Sequence, residues 1–284
     1  MKNLKVLIGF IFVIVLAASC KKHVVEYDTH PVPSNTAEFQ LHYFVPLTTG
    51  AVNNIYKVEV NGKVVSDSST PLATYNAIPS GAVGRFFTAD VGASSLKLYE
   101  GGNTLVYEQS CNLKEGKQNV FVYDFNKPPI VFDNGFPYPK NITENTDTTS
   151  WVKFYNFLYE SDGVTTDLKL QYQYQYTTDI AAGTKSSWIN VGKPLAFGEA
   201  TGWEPVTVIK SVFNSTGSAR VDYRIRVIGA DGSDQGSLKV RNASGSMVDY
   251  SDYWITYIGR AVHHVLAGMR AATPISSVRL FYAL

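Results

Sequence analysis

The sequence is poor in charge, in cysteine and in long apolar runs. Only 17% of its 284 residues are charged, and 25 Lys+Arg stand against 24 Asp+Glu. A chain so close to neutral lacks the basic face that phosphate recognition needs, which argues against a nucleic-acid binder. Two cysteines cannot build a disulfide framework, so stability must come from packed cores. The one long apolar run, Val6 to Ala18, falls short of the roughly 20 residues a bilayer-spanning helix requires. No His-Glu-x-x-His zinc motif, Gly-x-Ser-x-Gly elbow or phosphate-binding glycine loop occurs. Two carboxylates on different strands would leave no local signature, so a hydrolase stays open in principle. The expectation is a non-enzyme with no catalytic residues, no metal and no cofactor.

What is present begins at the N-terminus. Lys2 and Lys5 precede the apolar run, and small residues lead into Cys20, the arrangement of a secretory signal. Leu16-Ala17-Ala18-Ser19-Cys20 resembles a bacterial lipobox, with Leu16 four residues before the cysteine where the usual pattern has three. Looser versions with Ser before Cys resemble those of Bacteroidota lipoproteins. The resemblance implies cleavage after residue 19 and lipidation (diacylglycerol, palmitate) of Cys20. The other reading is an ordinary secreted protein cut elsewhere. Cleavage would remove two lysines and leave 23 basic against 24 acidic residues. Cys111 would then have no partner, and it reads as a small buried hydrophobe. Residues 20–36 read as a flexible tether. The resemblance implies an outer-membrane lipoprotein of the cell envelope. Lys21 and Lys22 stand where surface-sent relatives often carry acids, so surface and periplasmic faces both remain open.

From Phe39 the pattern becomes one of short strands. Tyr56, Val58 and Val60 alternate with Lys57 and Glu59, and Asn61-Gly62 supplies a hairpin turn. Gly101-Gly102-Asn103 separates Ser95–Tyr99 from Leu105–Tyr107, and Asn119–Tyr123 follows. Residues 133–150 are polar and proline-bearing and read as a linker. Beyond it, Leu168 to Tyr176 and Val221 to Val227 alternate with period two. Tyr253 to Ile258 is apolar on both faces and reads as a central strand. Ala261 to Ala272 is weakly compatible with a short helix, and Ser277–Tyr282 closes the pattern. The expectation is an all-β chain with two tandem β-sandwich domains of immunoglobulin or transthyretin type, at residues 37–132 and 151–284. The two have a similar rhythm, as distant copies would.

The strand, Asn61-Gly62 turn, Ile78-Pro79-Ser80-Gly81, Lys97-Leu98-Tyr99 and Leu113-Lys114-Glu115-Gly116-Lys117, in that order, resemble the repeated β-sandwich of domain of unknown function four-three-nine-seven. The likeness covers residues 39–125 best; in 151–284 only Asp231-Gly232 is clear. These motifs are structural turns, so the resemblance implies a fold and an envelope location but no catalytic residues.

Candidate chemistry is sparse. Tyr172, Tyr174 and Tyr176 could form a sugar-stacking platform, but aromatics at period two are most simply the inward face of a sheet. Trp188 and Trp203 lie among loop residues and are the ligand-binding candidates, although a loop tryptophan often caps a core. Asp231, Ser233, Gln235 and Gly236 have calcium-loop spacing, but position twelve is Asn242, so a turn is the better reading. His263 and His264 would point to opposite faces of a strand and make a poor metal pair. Asp147-Thr148-Thr149 resembles a Bacteroidota O-glycosylation site and marks Thr148. The function expected is a lipid-anchored envelope protein that binds or adapts, with a glycan or an envelope protein as partner. The alternative is an adhesin or fimbria-like assembly subunit.

Overall fold

A computed structural model describes residues 33–79, 85–134 and 148–283. The signal segment 1–19, Cys20, nearly all of the tether and most of the linker lie outside the described residues. Ser34–Leu284 forms one compact unit. It is all-β, with three short 3-10 turns and no α-helix among the described residues.

The first module contains β1 (Thr36–Tyr43), β2 (Lys57–Val60), β3 (Lys63–Ser66), β4 (Asn76–Ile78), β5 (Phe87–Asp90), β6 (Gly92–Glu100), β7 (Thr104–Leu113), β8 (Gly116–Val122) and β9 (Ile130–Asp133). The second contains β10 (Thr149–Ser161), β11 (Val164–Thr165), β12 (Lys169–Asp179), β13 (Thr184–Lys185), β14 (Ile189–Leu195), β15 (Glu204–Thr207), β16 (Ala219–Ile228), β17 (Asp234–Ser237), β18 (Lys239–Arg241), β19 (Met247–Asp249), β20 (Ser251–Thr256), β21 (Ala261–Met269) and β22 (Ser277–Tyr282).

Both modules follow one topology. In the first, β1 pairs antiparallel with β5 through its N-terminal half and β4 through its C-terminal end, and parallel with β8, which carries β9. In the second, β10 pairs antiparallel with β15 and then β11, and parallel with β21, which carries β22. The opposing sheets are β3-β2-β6-β7 and a sheet centred on β12 and β16, flanked by β13, β14, β17 and β20. Asn61 and Gly62 take left-handed dihedrals, φ 52° and 76°, and close the β2–β3 hairpin as a type I′ turn demands.

Four of the five sheets stack in layers, and β18 and β19 form a separate two-stranded pair. Leu41, Tyr43, Val120 and Val122 of the β1–β8 sheet meet Val58, Leu96, Leu98 and Tyr107 in the first core. Val152, Phe154, Leu158, Val262 and Leu266 meet Tyr172, Tyr174, Val221, Ile225 and Trp254 in the second. Between them lies a third apolar cluster, in which Phe44 and Phe121 of the first module pack on Tyr155, Phe157, Val265 and Phe281 of the second. The β1–β8 and β10–β21 sheets are therefore covered on both faces. Alternation then sorts side chains between two interiors: Leu41 and Tyr43 enter the first core while His42 and Phe44 enter the junction.

Two sequence expectations change. Residues 261–269 form β21, whose nine residues are all buried, and not a helix. A strand between two covered faces loses its polar alternation, which is why the segment looked ambiguous. Tyr253–Thr256 falls within β20, which pairs only with β16 among the described strands and exposes Tyr253 and Ile255. Its apolar outward face was the misleading feature.

Candidate functional site

The two candidate tryptophans occupy different environments. Trp203 follows a buried threonine, Thr201, whose hydroxyl accepts from the Phe154 amide at 2.9 Å and fixes the loop against β10. Its ring meets His263 at 4.7 Å between centroids, and its indole N–H donates to the Asn134 carbonyl. Trp203 thus lies at the junction between the modules, with its indole N–H already used.

Behind it runs a buried polar chain. His42 Nε2 donates to Asn119 Oδ1 at 3.3 Å, Asn119 Nδ2 donates to the Tyr155 oxygen at 3.4 Å, and the Tyr155 hydroxyl lies 2.9 Å from His263 Nδ1. An amide oxygen can only accept, which puts the His42 hydrogen on Nε2, whereas the Tyr155 oxygen can either donate to or accept from His263. Burial holds the His42 pKa down at about 3, against the Asn119 contact, and holds that of His263 well below the usual range. Lys153, on the same face of β10, donates to the Asp133 carbonyl at 2.6 Å, and burial lowers its pKa. His264 points the other way, into the second core, where its Nδ1 lies 2.8 Å from the Tyr172 hydroxyl and burial holds its pKa at about 3. The adjacent histidines do take opposite faces. Three neutral, fully enclosed imidazoles on separate partners serve packing and are not a ligand set. No group of three His, Cys, Asp or Glu side chains fit to hold a metal occurs among the described residues.

Trp188 lies on the opposite side of the second module, ahead of β14 and half-buried. Here Tyr172 and Tyr174 turn inward, so alternation sends Gln173 and Gln175 outward. Register places Gln175 beside Asp222 and Asp222 beside Tyr253; one step along, Asn190, Gln173, Arg224 and Ser251 form the next row. The outer face is therefore an array of amides, guanidinium groups and aromatic rings. Arg224 lies over the Trp188 ring at 4.3 Å and donates from Nε to Gln173 Oε1 at 2.8 Å; Gln173 in turn donates to Asn190 at 2.8 Å. Arg220 lies over Tyr253 at 3.9 Å and pairs with Asp222 at 2.8 Å, which also takes Lys185 at 2.6 Å. Tyr253 and Ile255 remain 48% and 41% exposed, although they are large and apolar. The face can offer planar rings for stacking and donors and acceptors in fixed positions, the equipment of a binding surface.

The remaining candidates are turns or supports. Asp231 accepts from the Ser233 amide and hydroxyl, and Gln235 from its side chain donates to Ser233, so the calcium-like spacing is a self-satisfied turn. Cys111 packs against the first core, and burial pushes its thiol up to about 11, which makes it a poor nucleophile. Thr148 is exposed at the margin of the described residues, where its carbonyl accepts from the Val208 amide at 2.7 Å. Sequence reasoning missed Arg224, Gln173 and Tyr253. Their signal was the outward half of the same period-two strands whose inward half was recognised.

No family model matches the chain, and no curated protein matches it. Among solved structures, the Bacillus anthracis TIE protein aligns at 8% identity with a TM-score of 0.24, over 83% of this chain and 34% of that one. Likeness at this level carries no argument about fold or function.

Proposed function

We propose that the chain is a lipid-anchored protein of the cell envelope that works by binding, with a glycan as ligand and the outer β12–β16–β20 face as its binding surface. The observation that carries this reading is that face itself. Trp188 and Tyr253 stand at its two sides, and the rows between them hold Gln173, Gln175, Asn190 and Arg224, side chains that exchange hydrogen bonds with hydroxyl groups. Flat polar sheets rimmed by aromatic rings suit sugars, which present apolar ring faces and polar edges. Trp203 and its surroundings belong to the scaffold in this reading. The lipobox-like Leu16–Cys20 supports the anchor.

Two measurements test it. Titrating the protein from residue 21 onward with a polysaccharide panel gives a saturable change in tryptophan fluorescence that Trp188→Ala abolishes; a flat response across the panel overturns the binding reading. In cells, the full chain partitions into detergent with lipid on its N-terminal cysteine, and Cys20→Ser returns it to the aqueous phase. Partition unaffected by Cys20→Ser overturns the anchor. A modified residue at Thr148, read by peptide mass spectrometry, would likewise test the glycosylation site.

A further inference from the structure

From the charge on the outer face of the second module, we propose that its ligand is an acidic glycan, a polymer of uronate or sulfated sugars, with Arg224 as the anion-reading residue. The inference rests on the glycan reading above and adds the ligand's charge class.

Four basic side chains are tied into this face, Lys185, Arg220, Arg224 and Arg226, against the two carboxylates of Asp222 and Asp234. These six side chains sum to +2, on a chain whose whole sequence sums to +1. The pairing is uneven. Lys185 and Arg220 share Asp222, and Arg226 holds Asp234 through both Nε and Nη2 near 3.0 and 2.9 Å. Arg224 has no carboxylate partner among the described residues. Its Nε is committed to Gln173, and its guanidinium carbon lies over Trp188, 4.3 Å from the ring centroid. Partial burial and then the neighbouring Arg226 lower its pKa, with Asp234 acting the other way. A guanidinium fixed at its Nε edge and across one face keeps donors at its terminal nitrogens, the fork that meets a carboxylate or sulfate with two hydrogen bonds. Trp188 holds that guanidinium in place beside the sugar that bears the anion. Lys169, two outward positions along β12 from Gln173, adds an exposed ammonium beyond the rows. A neutral glycan would leave this charge unanswered, whereas an acidic one completes it.

The test is calorimetry at two salt concentrations with polygalacturonate, dextran and polyglutamate as probes, on the protein from residue 21 onward. Polygalacturonate is expected to bind saturably and more weakly at higher salt, while dextran and polyglutamate do not bind measurably. Arg224→Gln should lower the affinity for polygalacturonate roughly tenfold or more. Arg224→Lys keeps the charge but not the fork, and recovers only part of it. The urea midpoint of each variant checks that the fold is intact. Equal binding of dextran and polygalacturonate, lost in Trp188→Ala and kept in Arg224→Gln, overturns the acidic class and leaves the glycan face standing. Equal binding of polyglutamate overturns the proposal in favour of simple charge attraction. No binding of any polysaccharide overturns both readings.

Discussion

All three histidines among the described residues are enclosed and neutral, which makes folding sensitive to mild acid. His42, His263 and His264 are 0–1% exposed. In the unfolded chain each would titrate at about 6.5; in the fold, burial holds His42 and His264 at about 3 and His263 well below its ordinary value. Below pH 6.5 the unfolded chain binds protons that the folded one refuses, so stability falls as the pH falls. The stabilisation is complete above about 6.5 and is lost progressively toward about 3. Between pH 7.5 and 5.0 each histidine costs about 2 kcal/mol by this linkage, and the three together about 6 kcal/mol, a large part of the usual 5–15 kcal/mol of a folded domain. Carboxylates barely contribute in this window, since they titrate near 4. Urea unfolding at pH 7.5 and 5.0 measures the loss directly. His264→Gln removes one of the three groups and should reduce the loss by about a third. A stability that changes by less than about 1 kcal/mol across the window, or a loss unaltered in the variant, would refute the argument that burial keeps all three imidazoles neutral in the fold.

Three other outcomes follow from local geometry. Gly268 in β21 has φ +102°, and a Cβ there would come within 2.8 Å of the Ile275 carbonyl and Ser276 Cα, both backbone, so Gly268→Ala should destabilise by about 3 kcal/mol in urea titrations. Tyr155→Phe cuts the chain between Asn119 and His263 and strands polar groups on both modules; a loss of about 1–3 kcal/mol is expected, and a neutral effect would show that the chain contributes nothing net. The Cys111 thiol, raised to about 11, should resist a disulfide reagent at pH 7.5 until urea unfolds the protein, and fast native labelling would contradict its burial against the first core.

Much of the fold was legible because several strands have one wet face. Leu168–Tyr176 and Val221–Val227 alternate cleanly since their outward residues meet solvent, and Asn61-Gly62 declares its turn by its own backbone preference. What sequence could not give was the third interior. His42, Phe44, Phe121, Tyr155 and Phe157 come from strands up to 115 residues apart, counting from His42 to Phe157, and no local pattern reports that these faces meet. The polar chain through the junction was hidden for the same reason, since His42 to Asn119 spans 77 positions and Tyr155 to His263 spans 108.

The two tryptophans make the same point about the site. Trp188 and Trp203 both sit in short loops of the second module, and nothing local separates them. What separates them is the neighbour supplied from far along the chain. Asn134, 69 residues away, takes the indole N–H of Trp203 and seals it into the junction, whereas Arg224 stacks on Trp188 at the opposite side of the same sandwich. The strands themselves carry a usable signal of this difference. β10 and β21, which line the junction, are buried along nearly their whole length, while β12 and β16 keep a polar half. In an all-β chain without a membrane-length run, a strand that loses its polar alternation has interiors on both sides. A loop tryptophan beside such a strand meets the packing of both interiors, and one beside an alternating strand meets the polar outer face.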